Sequence, residues 1–157
     1  MEIILEDFTR GLPDWTQFAR VVIRLIAAAL IGALIGFQRE RAGKAAGLRT
    51  HMLVAMGSAL LVLGCSAAEM SLDGISRVIQ GIATGIGFIG AGAILKRHET
   101  QEIEGLTTAA GIWMTAGIGV AAGLGEIGLA LVSGVLTWIV LAVIGRVEGA
   151  LEGKSAP

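Results

Sequence analysis

VVIRLIAAALIGALIGF, residues 21–37, is the stretch that decides the fold. It contains a single charge, Arg24, and at a rise of about 1.5 Å per residue it spans roughly 25 Å as a helix, so that one further turn completes a bilayer crossing. Four more apolar runs follow at 52–68, 78–95, 106–124 and 127–145. The sequence therefore predicts a polytopic membrane protein.

Composition agrees, since the chain is 54% hydrophobic and only 16% charged. A soluble domain of this size would leave too much apolar surface in water. We expect an all-α membrane protein, a bundle of five transmembrane helices that forms a single domain over residues 1–157. With turns added at their ends, the spans are predicted at about 15–38, 50–69, 75–96, 105–125 and 127–146.

The charges of the loops predict the orientation. Eight of the twelve basic residues fall on one side, which should be cytoplasmic; they are Arg39, Arg41, Lys44, Arg49, Lys96, Arg97, Arg146 and Lys154. The predicted topology is N-out, C-in. The first residues are acidic rather than basic, unlike a signal peptide, and are expected to form a short interfacial segment that ends at an N-cap, Asp14.

Glycine spacing predicts where helices pack. GxxxG patterns occur at Gly32/Gly36, Gly81/Gly85 and Gly119/Gly123, and each allows the backbone of a neighbour to approach closely. They indicate either packing within the chain or a homodimer interface. Gly87, Gly90 and Gly92 are also expected to serve packing. Gly85, Gly87 and Gly90 satisfy G-x-G-x-x-G, but inside an apolar span this pattern does not indicate a nucleotide site.

Polar residues inside the spans must be accommodated by the bundle. Six of them outline a candidate functional seam, in which Arg24 and Arg77 are expected to face inward: Arg24, Arg77, Gln80, Thr84, Thr108 and Thr115. The alternative for the two arginines is snorkelling towards the headgroups. No Asp or Glu occurs inside the five apolar runs, and the lone Cys65 and the two histidines lack ligand spacing. We therefore predict no metal site and no cofactor.

The first cytoplasmic loop, residues 38–51, is the densest polar segment, with Gln38, Arg39, Glu40, Arg49, Thr50 and His51. A solvated basic loop would set the topology or attract anionic lipid. The alternative is a structured cap in which Glu40 pairs with Arg39 or Arg49 and Thr50 caps the second span. The acidic residues Glu99, Glu102 and Glu104 of the next cytoplasmic loop are its electrostatic complement.

Three stretches closely resemble the membrane domain of the MgtC/SapB family: IGFQRERAGKAAGLRTH at 35–51, SRVIQGIATGIGFIGAGAIL at 76–95 and GLTTAAGIW at 105–113. The family's pattern falls on Arg24, Gly36, Arg39, Gly47, Leu48, Arg49, Thr50, Arg77, Gln80, Thr84, Gly85, Gly87, Phe88, Gly90, Ala91, Gly92, Gly105, Leu106, Thr107, Thr108 and Trp113. Gln38 departs from it, since the family commonly has Glu there. The soluble C-terminal domain of longer members is also expected to be absent.

The resemblance implies a multi-pass protein of the bacterial inner membrane, linked to magnesium homeostasis and to virulence, that modulates other membrane proteins. We therefore expect a non-enzymatic accessory or regulatory module. Its expected partners are membrane lipids, a second copy in a homo-oligomer, with a dimer favoured, and a membrane ATPase or transporter, but no nucleic acid. A homo-oligomeric permease for an ion or small solute is the alternative, and a lipid-binding scaffold that uses Arg20, Arg24 and Arg77 is a third hypothesis.

Overall fold

The structure is a computed structural model, and it describes residues 14–96 and 103–144. The expected interfacial segment before Asp14, the acidic residues Glu99 and Glu102, and the last residues of the fifth predicted span lie outside these ranges. The described chain contains five helices: α1 Trp15–Arg41, α2 Leu48–Ala67, α3 Leu72–Gly92, α4 Leu106–Leu124 and α5 Ile127–Ile139.

Four of the five helices, α1 to α4, are long and apolar enough to cross a membrane. α1 has 27 residues and is therefore about 40 Å long. α5 is shorter, with 13 residues, and a π-helical turn, Val140–Ile144, continues it. Large apolar side chains such as Leu30, Leu60 and Leu131 are exposed, as expected for surfaces that face lipid. The prediction of an all-helical membrane protein is thus confirmed at this level.

Local sequence explains where the helices begin and end. Asp14 is the N-cap of α1, as predicted, and its carboxylate accepts hydrogen bonds from the side chain and the backbone N–H of Thr16. These bonds hold the pKa of the Asp14 carboxyl below its usual value. Ser71 caps α3 in the same way through the N–H of Gly74. Gly125, with φ of +93°, ends α4 in the left-handed conformation and makes a tight turn into α5.

α4 lies at the centre of the bundle and is the most buried helix. Two of the predicted glycine patterns bring its neighbours together. A Cβ placed on Gly119 would lie 2.2 Å from the carbonyl oxygen of Ala55 in α2, and one on Gly123 would lie 2.8 Å from that of Ala59. The predicted close packing at this pair is confirmed, because only glycine permits such an approach.

The Gly32/Gly36 pair joins α1 to the beginning of α2. A Cβ on Gly32 would lie 2.6 Å from the carbonyl oxygen of His51, and one on Gly36 would lie 2.7 Å from Cα of Leu48. The two helices therefore pack backbone to backbone, and this predicted contact is confirmed as well. It places the end of α1 beside the first turns of α2, where the polar residues of the predicted loop gather.

α3 lies at the periphery, and here the packing prediction fails within the chain. Only Ile86 and Gly90 of α3 are buried. A Cβ on Gly90 would make ordinary contact with Ala109, at 3.5 Å, but no neighbouring atom of residues 14–96 and 103–144 lies within 4 Å of a Cβ placed on Gly81, Gly85, Gly87 or Gly92. The spacing of these glycines identified one helix face correctly but could not tell whether that face meets this chain or another molecule.

A two-stranded antiparallel hairpin between α3 and α4 was not predicted. Strand β1, Leu95–Lys96, pairs with β2, Ile103–Glu104, with Leu95 opposite Glu104. Gly105, with φ of +94°, follows β2, and a Cβ there would lie 2.0 Å from the carbonyl oxygen of Ala93. The hairpin therefore holds the N-terminus of α4 against the C-terminus of α3.

Candidate functional site

A buried polar cluster lies at the end of the bundle where α1 joins α2, which we call the α1–α2 end. Arg39, in the last turn of α1, is only 3% exposed, and its Nη2 donates a 2.9 Å hydrogen bond to Oγ1 of Thr108 in α4. Its buried Nε–H has no hydrogen-bond partner within the described part of the chain. Burial of a guanidinium that bonds to a neutral hydroxyl costs free energy, because the charge loses its water. The packing of the surrounding helices must offset this cost. The Arg39–Thr108 bond therefore ties the first helix to the central one.

His51 lies beside this bond and is fully buried, with 0% exposure. Its Nδ1 is 2.9 Å from the carbonyl oxygen of Gly47. Because that oxygen can only accept, Nδ1 donates this hydrogen bond, and in the neutral imidazole Nε2 is then an acceptor. Nε2 has no partner among the described residues, and it faces the backbone of Gly111, where a Cβ would lie 3.7 Å away.

The loop between α1 and α2 is a structured cap, but its contacts differ from the prediction. Oε2 of Glu40 accepts a 2.8 Å hydrogen bond from the backbone N–H of Leu48, rather than pairing with Arg39 or Arg49. The prediction that Thr50 caps this helix is wrong, because α2 already begins at Leu48 after Gly47. The carboxylate of Glu40 reaches a free N–H of the first turn, which makes a hydroxyl cap unnecessary.

Gln38 anchors the other side of the same region. Its Nε2 donates a 3.1 Å hydrogen bond to the carbonyl oxygen of Leu141, which lies in the π-helical turn after α5. A π turn changes the backbone hydrogen-bond pattern, so that side chains or water must serve some of the carbonyls. The amide of Gln38 thus supports the irregular end of the last helix. The exposed Arg41 stacks on Phe37, with Cζ 4.5 Å from the ring centroid.

Arg24 lies at the opposite end, which we call the α4–α5 end after the turn between those helices. Its Nη1 donates a 2.9 Å hydrogen bond to the carbonyl oxygen of Gly123, near the C-terminus of α4. A Cβ on Gly125 would lie 2.5 Å from Nη2 of Arg24, so that the glycine leaves room for the guanidinium. Arg24 therefore caps the central helix, in agreement with the favourable placement of a cation at a helix C-terminus.

The structure does not assemble the six residues of the predicted seam into one path. Thr108 and Thr115 are buried in α4, and Oγ1 of Thr115 donates to the carbonyl oxygen of Gly111 at 2.8 Å. In contrast, Arg77, Gln80 and Thr84 are exposed on α3. The prediction that Arg77 faces inward is wrong for the chain on its own, because the face of α3 that packs on α4 is the one that carries Ile86 and Gly90.

Sequence reasoning missed the depth at which Arg39 and His51 are buried. They were placed in a loop because apolar runs alone marked the spans, whereas α1 extends to Arg41 and α2 begins at Leu48. The sequence feature that could have indicated this burial is the pair Gly32 and Gly36. A close approach of α1 at these two glycines requires the start of α2 to lie beside them, and His51 with it.

The fold and this cluster define a class: an all-helical, multi-pass membrane protein whose first and central helices are joined at one end by a buried arginine, with a buried histidine close by. Comparison with known sequences gives the particular family. The family model described as "MgtC family" matches residues 25–150, and the chain belongs to this family. No solved structure matches the chain.

Similar curated proteins come from different bacteria. "Putative magnesium transporter YhiD" of Escherichia coli (strain K12) is 45% identical over 144 residues, which cover 87% of this chain and 66% of YhiD. "Protein SrpB" of Synechococcus elongatus is 42% identical over 146 residues, 86% of this chain and 79% of SrpB. "Protein MgtC" of Salmonella typhimurium is 44% identical over 115 residues, 73% of this chain and 48% of MgtC. The chain thus spans about half of the length of MgtC and just under two thirds of YhiD.

Proposed function

We propose that this chain is an accessory or regulatory module of the bacterial inner membrane and not an enzyme. It acts by binding a partner membrane protein, either in magnesium homeostasis or in adaptation to stress, including virulence. In this proposal all five helices cross the bilayer with the N-terminus outside, and the α1–α2 end is cytoplasmic. The excess of basic residues in the loops at that end supports the orientation.

The exposed face of α3 is the observation that carries the proposal. Arg77, Gln80 and Thr84 follow one another at i, i+3 and i+7, share one face of the helix, and are all exposed. The hydroxyl of Thr84 donates back to the carbonyl oxygen of Gln80, but the Gln80 amide has no hydrogen bond within the described chain. A polar amide at the surface of a membrane helix is costly in lipid and favourable against a partner helix that can bond to it.

A groove beside this face offers the space for such a helix. It lies between α2 and α3, has a volume of about 590 Å³, and is walled by glycines and by aliphatic side chains. Gly57, Gly81 and Gly85 lie in it, and among the described residues no neighbouring atom comes within 4 Å of a Cβ placed on any of them. Small residues in an open groove permit the close backbone approach that stabilises helix pairs in membranes.

The proposal is tested by photo-crosslinking in bacterial membranes, with p-benzoylphenylalanine placed at Gly81. An adduct with a second membrane protein is expected there, and none with the same probe at Leu129, an exposed position of α5. An adduct of twice the chain's 16.1 kDa would identify the occupant as a second copy instead. Equal labelling at both positions contradicts the proposal.

A double substitution separates partner binding from folding. Gly81→Ile with Gly85→Ile should leave the chain folded, because the added side chains meet open space, and should abolish the adduct formed by a probe at Gly57. The matched control is Gly32→Ile with Gly36→Ile, which should unfold the chain because both positions contact the backbone of α2. Unfolding by the α3 pair would show that its face is filled from within the chain, against the proposal.

A homo-oligomeric permease is a second candidate, and the name of YhiD, a putative magnesium transporter, favours it. The exposed polar face of α3 would then line a path between copies rather than bind a foreign helix. The test is flux in proteoliposomes that hold only this protein, with Mg²⁺ and anion reporters, for wild type and Arg77→Leu. Flux that the substitution abolishes would favour the permease, whereas folded protein without flux favours the accessory function.

A further inference from the structure

A polar cleft lies at the α4–α5 end, between the first turns of α1 and the last turns of α2. Its volume is about 190 Å³, several times the roughly 30 Å³ of one water molecule, which leaves room for a phosphate group. Arg20 and Arg24 line it together with Gln17 and Ser66, so that its polar groups are cationic or neutral. Two of its residues, Arg20 and Arg24, belong to the lipid-binding hypothesis of the sequence analysis, but neither the accessory module nor the permease proposed above uses this cleft.

The cleft carries two positive charges without a carboxylate among its lining residues in the described chain. Arg20 and Arg24 are four residues apart on one helix face, where like charges repel. Arg24 donates one hydrogen bond, from Nη1 to the carbonyl oxygen of Gly123. Asp14, the acid that begins this helix, interacts electrostatically with Arg20 but does not line the cleft. An anion in the cleft would therefore reduce the repulsion between the two guanidinium groups, which no carboxylate inside the described cleft offsets.

The depth of the cleft matches the boundary of a membrane. Trp15 and Phe18 begin α1, their ring centroids are 5.6 Å apart, and Trp15 is 77% exposed. Aromatic side chains of this kind lie at the level of the headgroups. Arg20 and Arg24 follow Trp15 by roughly 7.5 and 13.5 Å along the helix axis. Long arginine side chains at this depth extend back towards the headgroups, where the phosphates lie.

We propose that this cleft binds the phosphate of an anionic phospholipid from the leaflet at the α4–α5 end. The two guanidinium groups hold the phosphate oxygens through charge-assisted hydrogen bonds, and the amide of Gln17 offers a further donor. The aliphatic side chains of Val21 and Leu63 form the walls of the cleft and contact the glycerol and the first methylene groups of the lipid. The bound lipid thereby links α1 to α2 at the end away from Arg39.

The experiment uses the full chain, purified in detergent and stripped of lipid, and measures bound lipid by native mass spectrometry. Four probes are added separately: phosphatidylglycerol, phosphatidylcholine, diacylglycerol and inorganic phosphate. Phosphatidylglycerol should bind most tightly, because it offers a phosphate without the opposing charge of choline, and diacylglycerol should bind least. Arg20→Gln should weaken phosphatidylglycerol binding by about tenfold, the ratio that corresponds to roughly 1.4 kcal/mol.

Arg20→Gln is the decisive variant, because Arg24→Gln also removes the bond to Gly123 and can unfold the chain. Arg49→Gln is the matched control, since it removes one exposed arginine at the α1–α2 end. Equal binding of phosphatidylglycerol and diacylglycerol, or equal loss in the Arg20 and Arg49 variants, would overturn the proposal. Binding of inorganic phosphate without any lipid preference would overturn the assignment to a lipid and identify a free anion as the ligand.

Discussion

Substitution of one glycine at the crossing of α2 and α4 gives a sharp test of the packing. In Gly119→Ala the new Cβ would lie 2.2 Å from the carbonyl oxygen of Ala55 and 2.9 Å from its Cα and carbonyl carbon. These atoms belong to the backbone, so that no side-chain rotation can relieve the contact. The two helices must separate by roughly 1 Å, and overpacking of this kind costs about 1–3 kcal/mol.

The assay is thermal unfolding of the purified protein in one detergent, followed by circular dichroism. For a chain of this size each kcal/mol lowers the Tm by about 2–4 °C, so that the loss is measurable. Gly117→Ala is the matched control, because it lies on the same helix and no atom comes within 4 Å of its Cβ. The free energy of unfolding of that variant should lie within about 0.5 kcal/mol of the wild-type value. If Gly119→Ala and Gly117→Ala have the same free energy of unfolding, whether it is near the wild-type value or well below it, the close packing of α4 on α2 is refuted.

Two further substitutions test the α1–α2 end by the same unfolding assay. Thr108→Val should lower the free energy of unfolding by about 1–3 kcal/mol, because it removes the hydroxyl that accepts from Arg39. Thr108→Ser keeps a hydroxyl and should retain most of the wild-type stability. Similar losses in the two variants would show that the hydroxyl is unimportant. Glu40→Ala should lower the free energy of unfolding by about 0.5–2 kcal/mol, because the N–H of Leu48 loses its cap. Arg49→Ala, at an exposed position nearby, should change the stability little. A loss at Arg49 as large as that at Glu40 would indicate an ion pair between the two residues.

The sequence predicted the helices well, because hydropathy over 17 or more residues reports directly on the cost of placing polar groups in lipid. It predicted helix ends less well. Asp14 was found because its carboxylate lies next to the helix it caps, but the cap of α2 comes from Glu40, eight residues before Leu48. A contact between residues eight positions apart depends on how the loop between them folds, and no local sequence pattern contains this information.

The candidate site shows a similar division. Spacing correctly placed Arg77, Gln80 and Thr84 on one face of α3, and the glycine pairs correctly marked two of the three helix crossings. Helical periodicity says which residues share a face, but not which neighbour the face meets. For α3 the neighbour within the chain meets the face of Ile86 and Gly90, and the polar face remains exposed.

The central position of α4 has a consequence for biogenesis. The helices enter the membrane in chain order, yet the helix that packs against all the others is the fourth to be synthesised. Until it arrives, α1 and α2 can already pack at Gly32 and Gly36, but the backbone of α2 at Ala55 and Ala59 lacks the glycine face of α4, and Arg39 lacks the hydroxyl to which it donates. The first three helices are therefore expected to form an incomplete, protease-sensitive intermediate, and insertion of α4 is the step at which the bundle closes.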